Sequence, residues 1–253
     1  MSNVKIAAQV YSVRELAQAD FRKTMEGLRE IGYEGVELAG LYGLTPTEVR
    51  DTLKETGLEA VSAHVGIDLF LEDLEGTVQD YRTIGCSYIG IPALKTDRHF
   101  GGEKFQETCA FIRKLSTCCA ENGMVLLYHN HSFEFEKTPA GTYLLDEFYQ
   151  ALDADTIQTE LDTCWVANGG ESPVAYLEKY RGRCPLVHMK DSRRSGDSVE
   201  LMALGEGELD VAAIARAAVA CGAKWLVVEQ DHHPFGEPME NMRTSFSYLK
   251  SII

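Results

Sequence analysis

No apolar run in this sequence reaches the roughly 18 residues that a membrane-crossing helix needs, because Arg216 and Lys224 interrupt the longest candidate. Basic residues are also few: 24 lysines and arginines stand against 39 aspartates and glutamates, a formal charge of -15. Such a field repels phosphate backbones and anionic lipid, so neither nucleic acid nor a membrane surface is expected as a partner. The seven cysteines, Cys86, Cys109, Cys118, Cys119, Cys164, Cys184 and Cys221, form no CxxC pair and no paired metal spacing. A structural zinc is therefore disfavoured, and the thiols read as reduced fillers of a core. No GxGxxG or GxxxxGK[ST] segment follows a candidate strand, which removes support for a nucleotide cradle. The opening MSNVKIAAQVYSVRE lacks the order of basic flank, apolar run and small-residue cleavage site that marks a secretory signal, so a cytoplasmic address is expected.

What is present is an ordinary globular composition, 45% hydrophobic and 25% charged, in a chain of 253 residues. That length suits one barrel or one doubly wound sheet better than two domains. Short apolar or β-branched runs alternate eight times with longer amphipathic stretches, the pattern of parallel strands joined by crossover helices. The periodicity predicts strands at Val4–Tyr11, Gly35–Leu38, Leu58–His64, Tyr88–Pro92, Met124–Asn130, Ile157–Leu161, Leu186–Lys190 and Trp225–Glu229. Phe105, Cys109, Ile112, Leu115 and Cys119 recur at three and four residues, as on one face of a surface helix. Glycines 32, 57, 85, 123 and 222 precede strands where a helix C-cap is expected. The fold expected over residues 1–253 is a single-domain α/β structure, the (β/α)8 TIM barrel, with an open doubly wound sheet as the alternative.

In such a barrel, chemistry belongs at the carboxyl ends of the strands. Those ends collect Glu37, His64, His129, Asn130, His131, Glu134, Glu160, Asp162, His188, Lys190, Asp191 and Glu229. Several carboxylates and imidazoles converging in a partly dry mouth would repel one another unless a cation neutralised them, so a divalent metal ion is expected. An oxygen-rich site with histidine fits Mn²⁺, Mg²⁺ or Co²⁺, with Zn²⁺ as the alternative. Lys190 lies two residues from His188 on a strand and should face the same side, where an ammonium could stabilise a developing enolate. Glu37 and His64 are placed to line a sugar pocket.

Six segments carry a family resemblance: QVYSVRE from Gln9, GYEGVELAGLYG from Gly32, YHNHSFEF from Tyr128, ELDTCWV from Glu160, LVHMKDSRR from Leu186 and VVEQD from Val227. Over nearly its whole length the chain resembles the sugar phosphate isomerase/epimerase superfamily, whose xylose-isomerase-like barrels hold one divalent metal with carboxylates and a histidine. The resemblance implies Asp162, His188 and Glu229 as metal ligands. The family's fourth ligand, a glutamate ending the fifth strand, meets Tyr128, His129, Asn130 and His131 here. Glu134 is the preferred replacement, with His131 and Glu160 as alternatives.

Trp165 stands where ketose epimerases of the superfamily carry a substrate-gripping histidine, and Arg194 matches a substrate-binding position six residues past the metal histidine. The implied reaction is proton abstraction beside a carbonyl through a metal-stabilised enediolate, as in a sugar isomerase or epimerase. Glu229, Glu134 and His131 are the expected proton carriers, assisted by Lys190; His64, His129, Arg194, Glu37 and Trp165 are the expected substrate contacts. The alternative outcome is a dehydratase or lyase acting on an inosose or 3-oxo-sugar with the same site. A homo-oligomer is compatible with the resemblance. Two connections, Ala93–Gly102 and Asp191–Leu209, are longer than a crossover needs and read as lids, while His99, His232 and His233 are expected at the surface.

Overall fold

The computed structural model describes residues 4–196 and 198–253. Its strands are β1 (Lys5–Gln9), β2 (Gly35–Leu38), β3 (Glu59–His64), β4 (Tyr88–Ile91), β5 (Val125–His129), β6 (Gln158–Asp162), β7 (Leu186–Met189), β8 (Asp191–Ser195), β9 (Ser198–Met202) and β10 (Trp225–Val228). Eight of them close a parallel barrel in the order β1-β10-β7-β6-β5-β4-β3-β2, and β8 with β9 forms a separate antiparallel pair. The expected TIM barrel is what the chain builds.

Strand boundaries shift by one or two residues from the expectation. The first strand stops at Gln9 because the Gln9 side chain accepts the Tyr11 amide and Val10–Val13 turns into a 3-10 helix. A side-chain carbonyl that captures the next amides competes with the sheet ladder. The helix Phe105–Glu121 buries Phe105, Cys109, Ile112, Leu115 and Cys119, the face read from the periodicity. The helix Pro46–Thr56 starts with a capping box between Thr45 and Glu48 and ends at Gly57, whose φ of 75° suits a residue without Cβ.

The main apolar core lies between the barrel and its helices. A smaller cluster of Ala7, Val61, Leu127, Leu186, Trp225 and Val227 fills the inside of the barrel. Along β7 and β10 the inward residues change from Leu186 and Trp225 to His188 and Glu229, so apolar packing gives way to polar groups toward the carboxyl ends. Each large apolar side chain buried in these layers stabilises the fold by about 1.5–3 kcal/mol. That gradient places a polar floor under the barrel mouth.

The long connection after β7 is not an open loop. It carries the β8–β9 hairpin, and Asp191 ties the returning segment down by accepting the amides of Ser192, Gly205, Gly207 and Leu209 at 2.8, 2.9, 3.0 and 3.2 Å. His99, expected at the surface, is buried instead, with Nε2 3.2 Å from the Tyr128 hydroxyl and its ring edge against Phe133. An aromatic pocket offset the cost of drying one imidazole. His233 is partly buried and its Nε2 meets the Ser12 carbonyl at 2.7 Å. All seven cysteines are free and all but Cys118 are buried.

Candidate active site

Strand alternation sends Asp162, His188, Lys190 and Glu229 inward at adjacent positions on β6, β7 and the end of β10. The ladder pairs Asp162 with His188, and the Glu229 amide donates to the Met189 carbonyl. His188 Nδ1 lies 2.8 Å from Glu229 Oε2, and the Lys190 ammonium sits 2.7 Å from Glu229 Oε2 and 3.0 Å from Asp162 Oδ2. Burial pulls the Lys190 ammonium down, but Asp162, Glu229 and Asp231 outweigh it and hold Lys190 well above its ordinary range. The same ammonium opposes the burial penalty on Glu229 and keeps that carboxyl well below the usual range. Asp162 is further fixed by the Trp165 amide, which donates to Oδ1 at 2.9 Å and makes Asp162 the N-cap of the helix Thr163–Asn168. Asn130 bridges the end of the β5–β6 ladder like a strand residue, accepting the Asp162 amide at 3.0 Å and donating to its carbonyl at 3.3 Å.

One layer deeper, His129, Glu160, His64 and Glu37 complete the floor. His64 Nε2 is 2.5 Å from Glu160 Oε2 and 3.1 Å from Glu37 Oε1. Glu37 is fully buried and receives the Gln9 amide at 2.6 Å and the Ser62 hydroxyl. Expected as a sugar contact, Glu37 lies instead within this floor, where burial and the neighbouring Glu160 push its carboxyl upward against His64 and His188. Burial and the nearby His188 hold His129 well below the ordinary imidazole range, so it stands neutral.

Glu134 does not join either group. Its Oε1 accepts the Tyr128 hydroxyl and its Oε2 the His131 amide, each at 2.8 Å, and burial pushes its carboxyl up to about 7. Arg194 is exposed on the hairpin with its backbone amide bonded to Glu208, and the Arg193 guanidinium is committed to Glu200 and the Phe235 ring. His131 and Trp165 stack at 6.0 Å, and the Lys190 ammonium lies 5.2 Å from the centre of the Trp165 ring.

Above the floor opens a cavity of about 480 Å³ lined by Tyr11, Ala39, Gly40, His64, Pro92, His129, His131, Trp165, Glu229 and Asp231. Asp231 is the residue that sequence reading missed. Both of its oxygens lie 3.1 Å from Lys190, and its place two residues after Glu229 was the available signal. Burial and the Glu229 charge raise its carboxyl to about 6.

The donor atoms of His129, Asp162, His188 and Glu229 lie within 4.8 Å of one another, as do those of His64, His129, Glu160 and His188. His129 Nδ1 and Glu160 Oε1 are buried without a hydrogen-bond partner. A buried set of imidazoles and carboxylates with unsatisfied atoms could hold a divalent metal ion, and its residue types fit one.

Residues 25–252 match the xylose isomerase-like TIM barrel family. Among curated proteins, an inosose dehydratase of Geobacillus kaustophilus (strain HTA426) is 25% identical over 203 residues, 71% of this chain. That match spans only 64% of the relative's own length. A sugar phosphate isomerase/epimerase from Parabacteroides distasonis ATCC 8503 superposes with a TM-score of 0.82 at 22% identity, covering 99% of this chain and 95% of the other. A D-allulose 3-epimerase from Methylomonas sp. gives 0.76 at 15% identity over 100% and 99% of the two chains. With its closed barrel, its polar floor at the carboxyl ends and this match over most of its length, the chain belongs to the xylose isomerase-like TIM barrel family.

Proposed function

We propose that the protein is a metal-dependent enzyme that moves a proton at a carbon beside a carbonyl in an unphosphorylated sugar or cyclitol, with isomerisation or epimerisation as the outcome. The observation that carries this reading is the placement of Glu229 and His131 on the walls of one cavity, directly above the buried imidazole and carboxylate floor. His129, Asp162, His188 and Glu229 would hold the metal. Glu134 is left out of that set because Tyr128 and the His131 amide occupy both of its oxygens. When bound, the metal supplies Lewis-acid polarisation of the carbonyl, worth several kcal/mol of barrier.

The chain's own groups account for the rest. Glu229, kept anionic by Lys190, accepts the proton from carbon. His131, three strands away around the barrel and with a buried Nδ1 that lacks a partner, is the second proton carrier. Proton transfer of this kind accelerates a reaction by roughly 10²–10⁴-fold. Lys190, buried beneath the cavity lining, acts by holding Asp162, Glu229 and Asp231 in place, and the Trp165 ring beside it forms part of the cavity wall. The substrate is taken as neutral because no lysine or arginine lines the cavity among the described residues, while Glu229 and Asp231 do. A phosphate there would face two carboxylates.

A second outcome, loss of a β-hydroxyl after the same proton abstraction, is favoured by the curated relative named inosose dehydratase. In that case His131 protonates the departing oxygen. Proton NMR of ketoses, inososes and 3-oxo-glycosides incubated in D₂O with metal-loaded protein separates the outcomes. Loss of one α-proton signal without elimination supports isomerase or epimerase, new vinylic signals support a dehydratase, and no exchange with any substrate of the panel overturns the carbon-acid reading.

A further inference from the structure

His188 and His129 use their two ring nitrogens in the same divided way. His188 turns Nδ1 to Glu229 at 2.8 Å and Nε2 to Glu37 Oε1, also at 2.8 Å. His129 turns Nε2 to Asp162 Oδ2 at 3.7 Å and Nδ1 to Glu160 Oε2 at 3.5 Å. One nitrogen of each ring thus faces the upper carboxylates and the other a carboxylate of the deeper layer. The deeper pair is itself fixed: Gln9 and Ser62 donate to Glu37, and His64 spans Glu37 and Glu160. Space for this spanning ring comes from Gly90, where a Cβ would lie 3.0 Å from His64 Cδ2 and 3.1 Å from Glu160 Oε2.

We propose that Glu37, braced through His64 by Glu160, is a positioning residue that holds His188 in the tautomer and orientation in which its upward nitrogen, Nδ1, binds the metal. The proposal rests on the metal-site reading above. A neutral imidazole binds a metal through one nitrogen only, and the hydrogen bond made by the other decides which. A carboxylate accepting from the far N–H also raises the basicity of the ligating nitrogen. Glu37 performs this for His188 at full hydrogen-bond contact, while Glu160 faces His129 Nδ1 at 3.5 Å without a hydrogen bond. Neither carboxylate is among the residues that line the cavity, so their effect reaches substrate through the imidazoles they face.

Glu37→Gln keeps the shape of the side chain and weakens the acceptor. Co²⁺ affinity measured by chelator competition should fall by roughly 10–100-fold. In the Zn²⁺-loaded protein, the proton on His188 Nε2 should move upfield in ¹⁵N-edited NMR, a change that a general loss of stability does not produce. In a His188→Ala background the same substitution should have no further effect on residual Co²⁺ affinity, because the ring through which it acts is gone. Should Glu37→Gln fail to fold, Glu37→Asp, which keeps the charge but draws the acceptor back from His188 Nε2, provides the same two readouts. Wild-type protein that binds no Co²⁺ would remove the metal-site reading and this inference with it. Wild-type binding together with unchanged affinity and an unmoved Nε2 proton in the variants would overturn the positioning layer alone.

Discussion

At Lys190 burial and charge oppose each other, and three carboxylates within 3.1 Å decide the outcome in favour of the ammonium. Glu134 shows the reverse balance, since burial dominates its two hydrogen bonds and raises its carboxyl to about 7. The folded value lies above the ordinary 4.5, so folding favours the protonated form. Stability from this group is full below about pH 4.5 and is lost progressively as the pH rises to about 7. Replacing Glu134 with Gln should flatten that part of a denaturant midpoint against pH curve, and a slope equal to that of wild type would contradict the assignment. The same variant should keep its metal. Asp162→Asn, His129→Ala, His188→Ala and Glu229→Gln should each weaken binding so that far less metal survives purification, as elemental analysis of the folded protein would show.

At the scale of elements, one side chain, Asp191, ties the segment returning from the β8–β9 hairpin to the start of that hairpin. Asp191→Ala leaves four amides without their acceptor, and a buried polar group left unpaired costs about 1–3 kcal/mol. Limited proteolysis should then cut within 192–209 well before it cuts the barrel, and uniform resistance would mean that the hairpin stands without Asp191. Gly207→Ala should act in the same direction, because a Cβ there would lie 2.1 Å from Asp191 Oδ1. The barrel strands show how far pattern reading reaches. Period and punctuation located all eight, but Gln9 ended β1 early through a side-chain acceptor that hydropathy does not register.

Across the whole molecule, the apolar layer between barrel and helices protects nearly every thiol. Burial raises Cys86, Cys119, Cys164 and Cys184 to about 12, so their thiolate forms are scarce near neutral pH. Alkylation of the native protein should modify Cys118 first and the remaining thiols only in denaturant, as mass spectrometry of the labelled chain would reveal. Metal loading should raise the thermal midpoint and chelation lower it, because an ion that binds only the folded barrel stabilises by mass action. A midpoint indifferent to both would count against the site.

Sequence alone determined the architecture and a set of candidates for the site. Helical and strand periods are local properties of side-chain order, and the rule that barrel chemistry gathers at strand carboxyl ends then collected the candidates from which the family resemblance drew Asp162, His188 and Glu229. It could not rank residues that differ only in direction. Glu134 was expected as the fourth ligand and His129 as a substrate contact, and only the folded chain turned Glu134 to Tyr128 while placing His129 beside Asp162 and His188. Arg194 kept its place in sequence yet ended exposed on a hairpin, and Glu37 went beneath the cavity and not into its wall. The link of Asp231 to Lys190 and the joining of Glu37 and Glu160 by His64 emerged only from contacts between strands distant in sequence. Which of several similar side chains faces a given point is set by ladder register and hydrogen-bond competition in three dimensions, quantities that no local pattern encodes.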